Sequence, residues 1–266
     1  MTDCDRMWVH PPSDLTLSSN DIHVWRAALD QPTSCFQQLA QSLCAQERVR
    51  AERFYFERDR KHFVVGRGIL RTILGLYLGI EPSQLQFYYG PRGKPALTET
   101  YGGGWLRFNL SHSQGLALYA VTRDREIGID IEHIRPMPEA EQIAARFFSV
   151  QENAVFRTLP PSQKQTAFFN CWTRKEAYIK ALGDGLALPL DQFDVSLAPG
   201  EPARLLSIKG DRAITRWFLQ ELTPAPDYVA ALAVEGQGWC LTCWQWSEMQ
   251  LQPKSDQDTS TNSCAD

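Results

Sequence analysis

No run of about 18 consecutive apolar residues occurs in this 266-residue chain, so nothing in it reads as a membrane-spanning helix. The opening residues Met1-Thr2-Asp3-Cys4-Asp5 have neither the basic nor the apolar region of a secretory signal. Seven cysteines, an odd number without framework spacing, give no disulfide scaffold, and a reducing, cytoplasmic setting is expected. Cys240-x-x-Cys243 has no second pair with which to build a structural zinc site. A formal charge of −4 gives no general affinity for nucleic acid, and neither nucleic acid nor membrane is expected as a partner. There is also no Gly-x-Ser-x-Gly elbow, so Ser111, His112 and Asp130 have no support as a hydrolase triad.

What is present is unevenly distributed. Between Arg48 and Arg71 stand eight cations against three acids, a net of +5 that leaves −9 for the rest of the chain. A basic segment in an acidic chain suits an anionic ligand or an acidic partner; an ordinary helix with a solvated charged face explains it as well.

Acids are concentrated in two short segments. Ile127-Gly128-Ile129-Asp130-Ile131-Glu132 alternates, so as a strand it turns three isoleucines to a core and Gly128, Asp130 and Glu132 to the other face. Paired hard-oxygen ligands suit Mg²⁺, which prefers to keep phosphate oxygens beside it; the plainer reading is a solvated strand face. The third acid, Glu176, lies in a helix expected over Gln163–Leu182, opened by the capping-box pattern Ser162-x-x-Gln165 and closed by Gly183. It falls within the stripe Phe169, Trp172, Ile179 and Leu182, where a carboxylate needs a partner. Lys180, one turn on, is the simple partner; Lys175, Glu176 and Lys180 could instead serve a metal and anionic oxygens together.

The chain also echoes itself. Arg53-Phe54-Tyr55-Phe56 precedes a helical run Phe63–Leu78 ending at Gly79, and Arg146-Phe147-Phe148-Ser149 precedes the run ending at Gly183, with strand-like stretches after each. This is expected to be a duplicated α+β unit: an N-terminal lobe over 1–123, a C-terminal lobe with the acids over 124–247, and a polar, disordered tail over 248–266. Aligning the two Leu-Gly ends sets Thr72 opposite Glu176, so one active site per chain is expected. Ser149-x-x-Glu152 is a further capping box.

Together, Arg92-Gly93-Lys94-Pro95, Phe108-Asn109-Leu110-Ser111-His112-Ser113, Gly128–Glu132 and Trp172-Thr173-Arg174-Lys175-Glu176-Ala177-Tyr178-Ile179-Lys180 resemble the 4′-phosphopantetheinyl transferases, in the two-lobed class that activates peptide and polyketide synthases. The resemblance implies a pseudo-twofold α+β fold with coenzyme A in the cleft between lobes. It further implies Mg²⁺ (or Mn²⁺) on Asp130, Glu132 and Glu176, attack by a serine of an apo acyl or peptidyl carrier protein, and release of 3′,5′-ADP. Lys180 would neutralise the diphosphate and Glu176 would take the serine proton. Arg50 and His112 match positions that meet the 3′-phosphate, Arg92 and Lys94 the loop near the nucleotide, and Pro95 and Ser111 are further coenzyme-binding positions. Such carriers present an acidic helix after the modified serine. Glu47 and His62 depart from the family's more basic pattern. A metal-dependent phosphodiesterase and a non-catalytic carrier-binding module are the rival readings, and a monomer is expected because one duplicated chain can build the cleft.

Overall fold

Two helices of 22 residues organise the protein, seen in a computed structural model that describes residues 8–90, 93–101, 104–183, 188–209 and 213–251. The first half runs β1 (Trp8–Val9), β2 (Asp21–Ala28), α1 (Thr33–Gln41), α2 (Ala45–Glu52), α3 (Glu57–Leu78), β3 (Phe87–Tyr89), β4 (Pro95–Leu97), β5 (Leu106–Ser113) and β6 (Leu116–Arg123). The second runs β7 (Ile127–His133), α4 (Ala140–Phe147), α5 (Val150–Thr158), α6 (Pro161–Leu182), β8 (Phe193–Val195), β9 (Leu205–Ile208), β10 (Trp217–Leu222), β11 (Tyr228–Glu235) and β12 (Cys240–Gln245).

Topology carries the duplication. Strands β2-β6-β5 of the first sheet have the same order as β7-β11-β10 of the second, and the ribbon β3-β4 corresponds to β8-β9. Helix α3 covers one face of the first sheet, with Val65, Ile69 and Ile73 against Trp25, Phe108 and Tyr119. Helix α6 covers one face of the second, with Ala177, Tyr178 and Ala181 against Trp217, Ala231 and Ala233. The opposite faces share a third apolar cluster, in which Ile22, Val24, Leu118 and Ala120 meet Ile127, Ile129, Ile131 and Leu232. Burial of the three isoleucines fixes the register of β7, and with it the face on which Asp130 emerges.

A buried ionic node repeats as well. Glu152 closes the capping box of α5 with Ser149 (Ser149 N to Oε2 2.8 Å) and pairs through Oε1 with Lys175 of α6 at 2.8 Å. Lys175 Nζ also donates to the carbonyls of Leu190 and Phe193, both at 2.6 Å. In the first lobe Glu47 accepts from Cys44 N, Arg67 Nε and Arg71 Nε, while Arg71 Nη1 donates to Pro82 O and Leu85 O. Superposing the helix ends Leu78 and Leu182 sets Arg71 opposite Lys175. Each node ties a short helix, a long helix and the chain that follows, and removal of one partner would cost about 3–5 kcal/mol. Glu47 thus serves the interior, and so does Lys175, which is fully buried and takes no part in the acid cluster.

Several local expectations change. Helix α6 starts at Pro161, with proline in the first turn where its missing N–H costs nothing, and the Ser162-x-x-Gln165 box is not formed. Helix α3 starts at Glu57, its first turn carrying Glu57 and Asp59 as the helix dipole favours. The segment Arg53–Phe56 follows the short helix α2, whereas Arg146–Ser149 precedes the short helix α5, so the two aromatic motifs are not equivalent positions. Strand β12, inside the expected 124–247 lobe, pairs parallel with β2 in the first sheet, and Trp246 is buried in the first core. Glu248–Leu251 forms a 3₁₀ turn with Leu251 packed on that core; the rest of the expected tail lies outside the described residues. Cys240 is exposed, Cys243 buried, and both are free thiols. Among the described residues no helix is long and apolar enough to cross a membrane.

Candidate active site

Where the two sheets meet edge to edge, β5 and β7 are joined by side chains of β5 that recur at every second residue. Asn109 Oδ1 accepts from Ile129 N at 2.9 Å, Ser111 Oγ donates to Asp130 Oδ1 at 2.8 Å, and Ser113 Oγ donates to Glu132 Oε2 at 2.9 Å. The period-2 geometry of both strands places these groups along one seam. Asn109 and Ser113 were not singled out in the sequence; alternation of short polar residues along β5 was the available signal.

Helix α6 closes the seam from above. Gly128 lets it approach: a Cβ there would lie 2.1 Å from Ala177 O and 2.3 Å from Ala181 N. At that separation Lys180 Nζ reaches Asp130 Oδ1 at 2.6 Å and Ser111 Oγ at 2.9 Å. The simple i, i+4 pairing of Glu176 with Lys180 is not made; Lys180 reaches across to the strand instead. Asp130 is 5% exposed, and its second oxygen, Oδ2, is buried with no hydrogen-bond partner. Glu132 is held by Ser113 and by Arg135 Nη1 at 3.3 Å.

Glu176 is half-buried one turn before Lys180, and among the described residues it has no hydrogen bond or ion pair. Burial raises its carboxyl above the usual range; Asp130 and Glu132 raise it further, against the opposing pull of Lys180. The acids of strand and helix thus lie within one another's fields. Yet among the described residues no three His, Cys, Asp or Glu side chains stand as a set that could hold a metal ion. Lys180 and Arg135 take the charges of Asp130 and Glu132 in this arrangement. The donor chemistry still fits Mg²⁺, since the buried, orphaned Asp130 Oδ2 on the strand and Glu176 on the helix, unpaired among the described residues, are hard oxygens close enough to feel one another's charge.

The remaining expected residues separate. Lys94 Nζ donates to Lys180 O at 2.7 Å, Ile127 O at 3.3 Å and Ala181 O at 3.4 Å, with Glu126 3.7 Å away. Its charge neutralises the C-terminal end of α6, linking the first-lobe hairpin to the helix that bears Glu176 and Lys180. Burial lowers its ammonium pKa from the ordinary lysine value. Pro95 lines a cleft of about 270 Å³ with Lys94, Phe108, Glu126 and Gly183. Arg50 is exposed, 5.3 Å over the Phe63 ring, at a cavity of about 690 Å³ lined also by Phe87 and Tyr89. His112, following Ser111 on β5, has its imidazole pushed below the ordinary range by the protein around it, then by Lys180 and His62. His62 itself pairs with Asp30 at 2.8 Å. Arg92 lies outside the described residues.

The family model described as 4′-phosphopantetheinyl transferase superfamily matches residues 126–233, and the one described as 4′-phosphopantetheinyl transferase, N-terminal, matches residues 24–123. The 4′-phosphopantetheinyl transferase HetI of Nostoc sp. is 49% identical over 239 residues, 90% of this chain and 98% of its own. The chain belongs to the 4′-phosphopantetheinyl transferase superfamily. Sfp of Bacillus subtilis, a 4′-phosphopantetheinyl transferase, is 32% identical over 57% of this chain and 65% of its own. The human L-aminoadipate-semialdehyde dehydrogenase-phosphopantetheinyl transferase is 29% identical over 59% of this chain and 54% of its own. Neither a phosphodiesterase nor a non-catalytic module finds support among these relatives. The two family matches divide between β6 and β7, so β5 and β7, whose side chains form the seam, belong to different matches.

Proposed function

We propose that this chain transfers 4′-phosphopantetheine from coenzyme A to a serine of an apo acyl or peptidyl carrier protein at the Asp130–Glu176–Lys180 face of α6 and β7. The observation that carries the assignment of the site is a buried carboxylate oxygen without a hydrogen-bond partner, Asp130 Oδ2, and a second carboxylate, Glu176, without hydrogen bond or ion pair among the described residues, near an ammonium that bridges strand and helix. Mg²⁺ on Asp130 and Glu176, with Glu132 nearby, would supply positive charge to the diphosphate. Lys180 would neutralise charge growing on the leaving oxygen as the phosphorus–oxygen bond to 3′,5′-ADP breaks. Glu176, with no hydrogen bond or ion pair among the described residues and its proton affinity raised by burial, takes the proton from the attacking serine hydroxyl, directly or through water. Arg50 and His112 are assigned to the 3′-phosphate end. One chain supplies both lobes of the cleft, so a monomer suffices.

Incubation with coenzyme A, Mg²⁺ and an apo carrier protein is expected to add one phosphopantetheine to the carrier mass. Chelator, Asp130→Ala and Glu176→Ala should each abolish that gain while the circular dichroism spectrum is kept. Full turnover by either variant would remove that residue from the site.

A further inference from the structure

The basic segment and the exposed aromatics near it are not accounted for by the chemistry of the cleft. Of the eight cations between Arg48 and Arg71, Arg67 and Arg71 are buried on Glu47, and Arg48 donates to the carbonyls of Leu43 and Gln41. Arg50, Arg53, Arg58, Arg60 and Lys61 remain on the surface. Among them runs the connector Arg53–Phe56 between α2 and α3, four residues where the second lobe uses only Leu159 and Pro160 between α5 and α6.

The first lobe thus carries two extra residues at this junction, and the connector puts aromatic rings into solvent. Tyr55 is 92% exposed and Phe56 64%, their rings packed edge to face at 4.9 Å, and Phe54 is 37% exposed beside Phe63. Adjacent exposed aromatics rimmed by charge mark an interaction surface rather than a solvated helix face. The rim is net positive, with Arg50, Arg53, Arg58, Arg60 and Lys61 outnumbering the exposed Glu52, Glu57 and Asp59 and only Lys61 paired to one of them, to Glu57 at 2.9 Å, so the partner it suits is acidic with an apolar contact of its own. Position adds to this. Arg58 Nη2 donates to Gln114 O at 3.1 Å, which fixes the start of α3 to the β5–β6 turn directly after His112 and Ser113. The patch is thereby tied to the end of β5, the strand that carries Ser111 and His112.

We infer that the Phe54–Phe56 connector, with Arg53 and Arg60, is the docking platform for the apo carrier protein. The aromatics receive apolar residues near the carrier serine and the cations meet its acidic helix. This rests on the transferase reading, which supplies the need for a macromolecular acceptor at the cleft.

Steady-state transfer with coenzyme A and an apo carrier, alongside calorimetric titration of coenzyme A, separates the possibilities. For the Tyr55→Ser/Phe56→Ser double variant and for Arg60→Glu, KM for the carrier should rise at least tenfold. The rate at saturating carrier and Kd for coenzyme A should stay within twofold, and the melting temperature should not move, since these side chains are exposed. Arg60→Glu should regain affinity for a carrier in which acidic residues of that helix are changed to lysine. A rise in Kd for coenzyme A with carrier KM unchanged would assign the patch to the nucleotide and overturn the proposal, as would no change in either constant. If the wild-type protein modifies no apo carrier at all, the transferase reading itself fails, an outcome distinct from a failure of the platform alone.

Discussion

Gly128→Ala tests whether the close contact of α6 with β7 is what assembles the site. An ideal Cβ at Gly128 falls 2.1 Å from Ala177 O, against the 3.4 Å at which ordinary contacts begin, so helix and strand must part by about 1.3 Å. All three obstructing atoms, Ala177 O, Ala181 N and Ala181 Cα, are backbone, and no rotamer change relieves them. Adding 1.3 Å to the Lys180–Asp130 distance of 2.6 Å gives about 3.9 Å, beyond hydrogen-bond range. Overpacking costs about 1–3 kcal/mol and loss of a charge-assisted bond about 1.5–3 kcal/mol more. For a protein of this size, the melting temperature should fall by roughly 10 °C. A displacement of about 1 Å at reacting groups costs on the order of 100-fold in rate. Thermal denaturation and the carrier mass assay read the two effects, with Gly104→Ala, where an added Cβ meets nothing within 4 Å, as the control. Wild-type melting and turnover for Gly128→Ala would refute the proposition that this approach sets the geometry.

The acids were legible in the sequence because β7 obeys a strict period of two and its isoleucines leave no choice of face. The end of α6 was legible for a comparable reason: a helix that stops at Leu-Gly needs a left-handed residue, and Gly183 has φ of 73°. What the sequence concealed was the identity of partners across the fold. Lys180 suits an i, i+4 pair with Glu176 by local rules, but the approach permitted by Gly128 brings a buried carboxylate within its reach, and the desolvated partner wins. Glu47 and Lys175 gave no sign of their interior nodes, because a capping-box acid and a helix cation normally face water. The duplication survived at Leu78 and Leu182 because the long helices are of equal length, whereas the connector before α3 is longer than that before α6 and shifted the aromatic motifs out of correspondence.

Two further predictions concern groups that support or perform the chemistry. Lys94→Met removes a charge from the end of α6 and leaves the carbonyls of Lys180 and Ala181 without it. The expected result is a roughly tenfold fall in kcat, consistent with about 1.5–3 kcal/mol for a charged hydrogen bond, with Kd for coenzyme A within twofold; a rise in Kd alone would make Lys94 a direct coenzyme contact. Glu176→Gln should be inactive yet more stable than wild type at pH 7. Burial and the charges of Asp130 and Glu132 raise the folded-state pKa of Glu176 above its unfolded value, so it is the ionised form that the native state disfavours. The stability this group contributes is present in full below the unfolded carboxylate pKa and is lost as pH rises through the raised folded value. Once the pH exceeds that raised value the wild-type protein has lost it, while glutamine carries no charge at any pH. Melting curves should therefore place Glu176→Gln above wild type at pH 7, with the gap closing as pH falls into the carboxylate range. A variant less stable at pH 7, or a gap independent of pH, would show that Glu176 is not held against the other two acids, and the case for it as the proton acceptor would fall with that result.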